Sequence, residues 1–252
     1  MYYHIGFDRQ KFGDNHPSIA LLSGEPERSR HIAYSYLENV KLLSDYRGLH
    51  SYLGYLPNGK PLLVATSGMG APSVSIVVNE LVQVGIKTII RIGTCGSIQP
   101  YIKVGSVVIS QAALCRQGAA NDIAPLEYPA VADPFLTVAL VKEAKKLKYS
   151  YHLGITASVD TFYEGQERSQ SSANPHLQSW LLGITQQYRN LNILNYEMEA
   201  GTLFKMASVY GFAAACICAV VAQRSEGENI LVEEKKLAVE RAIEIAVGVI
   251  GS

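Results

Sequence analysis

Neither sign of charge is in excess. The 22 lysines and arginines balance 22 aspartates and glutamates, and charged residues make up only 17% of the 252. With no broad basic field, a nucleic-acid partner is not expected. Low charge beside 48% hydrophobic residues also excludes a disordered chain. Cysteine is sparse. Cys95, Cys115, Cys216 and Cys218 form no CxxC pair, and a zinc site would need more soft ligands at metal spacing. Reduced thiols in a cytoplasmic protein are the expectation, with no metal site. Long apolar runs are missing too. The longest, 212–222, is about half of the roughly 20 residues that a membrane-spanning helix needs. The opening MYYHIGFDRQK has no signal-peptide pattern, so no membrane partner is expected either.

What is present is alternation. Short apolar runs at 18–23, 61–67, 88–92, 106–112, 152–158, 192–196 and 212–222 read as strands. Helical patterns occupy 73–84, 134–147, 200–210 and 232–249. In the first of these, Val74, Val77, Val78 and Leu81 form one stripe. Continuous apolar strands between helices imply an α/β fold. The expected architecture is a single domain over 1–252, a three-layer αβα sandwich around a central mixed, largely parallel sheet. Ligands of such sheets sit beyond the carboxyl ends of the strands. The segment 165–190, rich in Ser, Gln and Asn, reads as a surface loop or lid.

Five places carry chemistry at those ends. Gly24-Glu25-Pro26-Glu27-Arg28 joins a strand to a Pro-started helix, where free amides and an arginine suit an anion. Alone it reads sooner as an ordinary strand–helix turn with a surface arginine. Arg91, flanked by isoleucines before Gly93-Thr94-Cys95-Gly96, needs a carboxylate or an oxyanion if buried. Gly68-Met69-Gly70-Ala71-Pro72-Ser73 matches a dinucleotide turn only weakly, because Ser73 replaces the last glycine. In Glu197-Met198-Glu199 one carboxylate can cap the following helix, and a second can accept from a vicinal diol such as ribose. Phe162 through Arg168 offers an aromatic face, the donor and acceptor of Gln166 and the cation of Arg168, a set that fits a pyrimidine. By itself it is a polar loop. His4 and Arg47 alone read as a terminal surface residue and a solvated cation.

Taken in order, the segments HIGF (4–7), SGEPER (23–28), TSGMGAPS (66–73), RIGTCGSIQP (91–100), APLEYPAVAD (124–133), GITASVDTFYEGQER (154–168) and NYEMEAGTLF (195–204) resemble the nucleoside phosphorylase superfamily. GQER with NYEMEA points to its uridine phosphorylase branch. The resemblance implies phosphorolysis of uridine, and of deoxyuridine or thymidine if tolerated, to the free base and α-ribose 1-phosphate. Inorganic phosphate is then a co-substrate, with no cofactor. Gly24, Arg28, Arg91 and Thr94 match phosphate positions, and Arg47 matches a phosphate arginine supplied by a neighbouring subunit. Thr94, Glu197, Met198 and Glu199 match ribose positions, with Glu199 on the hydroxyls. His4 matches a histidine that crosses a dimer interface to the 5′-hydroxyl. Phe162, Gln166 and Arg168 match the base site, and Arg224 an arginine beside the loop that closes over it. A homodimer is thus the implied minimum unit, and a hexamer built as a trimer of dimers the implied assembly.

Three departures stand out. Gly48 replaces the family's usual Glu of a monovalent-cation site, which argues against that site. Cys95 replaces a second Thr. The stretch 169–190 follows the family poorly. Purine-cleaving relatives carry an Asp after the long late strand, where this chain has Val220-Val221-Ala222-Gln223-Arg224, so weak purine turnover is expected. A nucleosidase using water, or a non-catalytic nucleoside-binding protein of the same fold, are the alternative readings.

Overall fold

The structure is a computed structural model, describing residues 1–225 and 232–251. The strands are β1 (Ile19–Ser23), β2 (Glu38–Ser44), β3 (Ser51–Tyr55), β4 (Pro61–Thr66), β5 (Thr88–Ser97), β6 (Val107–Arg116), β7 (Tyr151–Val159), β8 (Ile193–Glu197) and β9 (Ala213–Gln223). The helices are α1 (Pro26–Tyr36), α2 (Ala71–Gln83), α3 (Gly118–Asn121), α4 (Pro134–Lys146), α5 (Ile184–Asn190), α6 (Ala200–Tyr210) and α7 (Val232–Gly251). All nine strands join one sheet in the order β2-β3-β4-β1-β5-β8-β7-β6-β9. Parallel ladders link β1 to β4 and β5, β5 to β9, and β7 to β6 and β8; the other pairings are antiparallel. The sheet is therefore mixed, with parallel pairings in a narrow majority. Because β5 pairs with both β8 and β9, that half curls into a closed ring.

The sheet is buried on both faces, and the alternation along β9 assigns them. Ala214, Cys216, Cys218 and Val220 join one apolar core with Val74, Val77 and Val78 of α2 and Leu203 and Phe204 of α6. Ala215, Ile217 and Ala219 join a second, with Ile32 of α1, Leu140 of α4 and Ala242, Ile243 and Ala246 of α7. A smaller cluster under α5 holds Ile98, Ile184, Tyr188 and Tyr196. These helix layers on either face make the three-layer αβα sandwich. All four cysteines are free thiols. Among the described residues, no helix is long and apolar enough to cross a membrane.

The elements depart from the sequence reading in three ways. The strand expected over 88–92 continues through Gly93-Thr94-Cys95-Gly96 to Ser97, so this segment is strand rather than turn. Register with β9 is held over its whole length, with a shift between Cys95 and Gly96. The edge strand β2 and its neighbour β3 carried no readable signal; β2 is mostly exposed and so lacks a continuous apolar run, and β3, buried between β2 and β4, is a short SYLGY segment interrupted by Ser51 and Gly54. Within 165–190, α5 and two short 3-10 turns replace an unstructured loop.

Candidate active site

The carboxyl ends of β1, β5, β8 and β9 surround a cavity of about 450 Å³. It brings together Gly24, Arg28, Arg91, Thr94, Phe162, Gln166, Arg168, Glu197, Met198 and Glu199, ten of the residues singled out in the sequence. Parallel β1, β5 and β9 deliver their last residues to one edge, and antiparallel β8 joins them because it overlaps β5 only where Gly96 and Ser97 meet Tyr196 and Asn195.

One side of the cavity is cationic. Arg28 extends from the first turn of α1. Its Nη1 donates to the Ile92 carbonyl at 3.2 Å and its Nη2 to Glu25 at 2.9 Å. Burial pulls its pKa below the usual arginine value, partly offset by Glu25. Arg91 shares the face of β5 that carries Ile89 and Cys95, and its side chain is 5% exposed. Its Nη2 donates to Glu199, while Nε and Nη1 are buried and make no hydrogen bond among the described residues. Burial acts to lower this guanidinium's pKa; Glu199 and, behind it, Cys216, Cys218 and Glu197 together outweigh burial and raise the pKa. Gly93 makes room for the group, since a Cβ there would stand 1.9 Å from Arg91 Nη1.

The opposite wall is the start of α6. Glu197 Oε2 accepts from the amides of Glu199 and Ala200, each at 2.8 Å. Its other oxygen accepts from the Ser158 hydroxyl, and Ser158 in turn accepts from the Gly201 amide at 2.8 Å. Glu197 is thus the helix cap of the pair, satisfying amides that have no partner within the helix. Burial pushes its carboxyl up to about 7; Arg91 opposes the shift and Glu199 adds to it. Glu199 accepts from Arg91 and from the Gly70 amide at 2.7 Å, which anchors the Gly68–Ser73 turn to the site. In this structure Glu199 therefore engages protein donors, the pairing that the sequence left as the alternative for Arg91.

The third wall is aromatic and polar. Gln166 is 3% exposed, and its Oε1 accepts from Arg168 Nε at 3.3 Å. The Arg168 guanidinium lies 4.1 Å from the Phe162 ring centroid. Arg224 does not line the cavity; its Nη2 donates to the Gln166 carbonyl, and its guanidinium lies 5.2 Å from the Tyr196 ring. Tyr196 lines the cavity and was not singled out from sequence, although its place at a strand end marked it. Its hydroxyl meets Thr185 at 3.1 Å, and burial pushes its pKa up to about 12. Met69, Val221 and Ala222 add apolar lining. Residues 226–231 lie outside the described set.

His4 and Arg47 are absent from the cavity. His4 Nδ1 is held by Glu80 at 2.7 Å. Arg47 is exposed, in a left-handed conformation, 5.4 Å from the Tyr3 ring, and Tyr3 packs edge-on against His4 with centroids 4.9 Å apart. The two thus share one surface patch, bridged by Tyr3.

The family profile described as Phosphorylase superfamily matches residues 18–251. The uridine phosphorylase of Haemophilus influenzae is 41% identical over 230 residues, covering 91% of this chain and 90% of that protein. The uridine phosphorylase of Escherichia coli is 38% identical over 245 residues, covering 97% and 95%. A DeoD-type purine nucleoside phosphorylase from Hahella chejuensis is 34% identical over 254 residues, covering 97% and 98%. With its three-layer fold and a strand-end cavity lined by the buried Arg91, the largely covered Arg28 and two buried glutamates, the chain belongs to the phosphorylase superfamily.

Proposed function

We propose that this chain is a pentosyltransferase that cleaves uridine with inorganic phosphate to uracil and α-ribose 1-phosphate. The observation that carries the reading is one cavity with a buried cationic wall, a carboxylate wall and a Phe–Gln–Arg wall. Phosphate sits among the Gly24 amide, Arg28, Arg91 and the Thr94 hydroxyl. Two orphaned donor atoms on Arg91 support this, because a buried guanidinium calls for oxygen acceptors. Glu199 then exchanges a protein donor for the ribose hydroxyls, Met198 covers the sugar, and Glu197 holds the turn. As the glycosidic bond stretches, positive charge grows on the sugar and the phosphate dianion attacks from the opposite face, with inversion. Negative charge on the departing uracil falls on its oxygens, where Arg168 and Gln166 donate. The residues lining the cavity from β9 are Val221 and Ala222, so that strand offers no acid to protonate a purine.

The functional unit is a dimer, within a trimer of dimers, in which a second copy supplies His4 and Arg47. The shared His4–Tyr3–Arg47 patch outside the cavity supports this arrangement. Four free thiols suit the cytoplasm. The test is uracil release from uridine by purified protein, with and without phosphate, with inosine in parallel. Phosphate-dependent release from uridine alone is expected. Release without phosphate would mean a nucleosidase, and no release a binding protein.

A further inference from the structure

Gln117 lies just outside the cavity, between β6 and α3, and is 1% exposed. Its amide makes three hydrogen bonds to one short stretch of chain. Nε2 donates to the Met198 carbonyl at 2.5 Å; Oε1 accepts from both the amide and the hydroxyl of Thr202, each at 2.8 Å. These contacts fall on either side of Glu199, in the turn that opens α6. A carboxamide is the only uncharged side-chain group that presents N–H and C=O side by side. A leucine here would leave three buried polar groups unpaired, and an ionised glutamate would set negative charge against the Met198 carbonyl.

On the phosphate wall Arg28 is anchored apart from this clamp, by Ile92 and Glu25, and Arg91 is fixed on β5 while it also meets Glu199. Met198 and Glu199 are on the sugar side. Resting on the reading of the site as a uridine phosphorylase, we propose that Gln117 is a positioning residue for nucleoside: it fixes Met198 and Glu199 against the ribose and leaves phosphate binding to the arginines.

The test compares Gln117→Glu and Gln117→Leu with wild type in steady-state phosphorolysis of uridine. Gln117→Leu is expected to raise KM for uridine about tenfold while KM for phosphate stays within about threefold. Gln117→Glu keeps the acceptor toward Thr202 but can donate to Met198 only when protonated. Its kcat/KM for uridine, taken as a ratio to wild type at each pH, is therefore expected to rise about tenfold from pH 8 to pH 6. The ratio cancels the titration of Glu197, which both proteins share. A ratio flat with pH, or kinetic constants that all fall together, overturns the proposal. Gln117→Glu nearly preserves shape, so it serves even if Gln117→Leu does not fold. Wild-type protein that fails to cleave uridine with phosphate removes the functional reading itself; an active wild type with a flat ratio removes only the role of Gln117.

Discussion

The Arg91–Glu199 pair is nearly dry, with side chains 5% and 6% exposed. Arg91→Met keeps the apolar stem and deletes the guanidinium. Among the described residues, Glu199 is then left as a buried carboxylate with the Gly70 amide as its donor. Removing one member of such a pair costs about 3–5 kcal/mol. At about 2–4 °C per kcal/mol for a chain of this size, Tm falls by roughly 10 °C. Arg91→Met with Glu199→Leu removes both charges at once, and a buried pair replaced by apolar groups is often close to neutral. The double variant should therefore recover most of the loss, with a coupling of about 2 kcal/mol or more. Urea unfolding of the two single variants and the double closes the cycle, provided the m-value is unchanged. If the two single losses simply add in the double variant, the pair is not the unit described here. Neither the Arg91 variant nor the double should turn over uridine appreciably, because the proposed phosphate wall loses its most buried cation in both.

Arg168→Ala should lower kcat/KM for uridine by about 10²–10³ with KM for phosphate little changed; unaltered uridine kinetics would remove Arg168 from the base site. Gly93→Ala places a methyl group 1.9 Å from Arg91 Nη1 and 3.0 Å from Cys218 Sγ, so the guanidinium must move. A loss of about a hundredfold in turnover is expected, and wild-type activity would show that the position of Arg91 is not critical. Glu197, pushed up to about 7 by burial, binds its proton more tightly folded than unfolded. Its contribution to stability is therefore full below the ordinary carboxyl range and is lost as pH rises through about 7, a swing of roughly 3 kcal/mol. Melting temperatures of wild type and Glu197→Gln across that window should diverge accordingly, and parallel curves would refute the assignment.

Much of the fold and the site was legible from residue types in order. Continuous apolar strands alternating with a Val74–Val77–Val78–Leu81 stripe announced a covered sheet. The strand ends at Gly24, Arg91, Glu197 and Phe162–Arg168 named most of the cavity, because parallel strands gather their carboxyl ends. Strands β2 and β3 stayed hidden, the first because a mostly exposed edge strand has no apolar run to betray it, the second because Ser51 and Gly54 interrupt its five residues. Equally hidden was the fate of Gly93-Thr94-Cys95-Gly96, because small residues fit a turn or a strand alike and only the long ladder with β9 decided between them. Glu197 and Glu199 are two carboxylates in one turn, and their sequence cannot say which caps the helix. Burial decided that, giving Glu197 the α6 amides and Glu199 the guanidinium from β5. The clamp of Gln117 on Met198 spans 81 positions of chain, a contact made because the parallel ladders of β6 with β7 and of β7 with β8 end all three strands side by side.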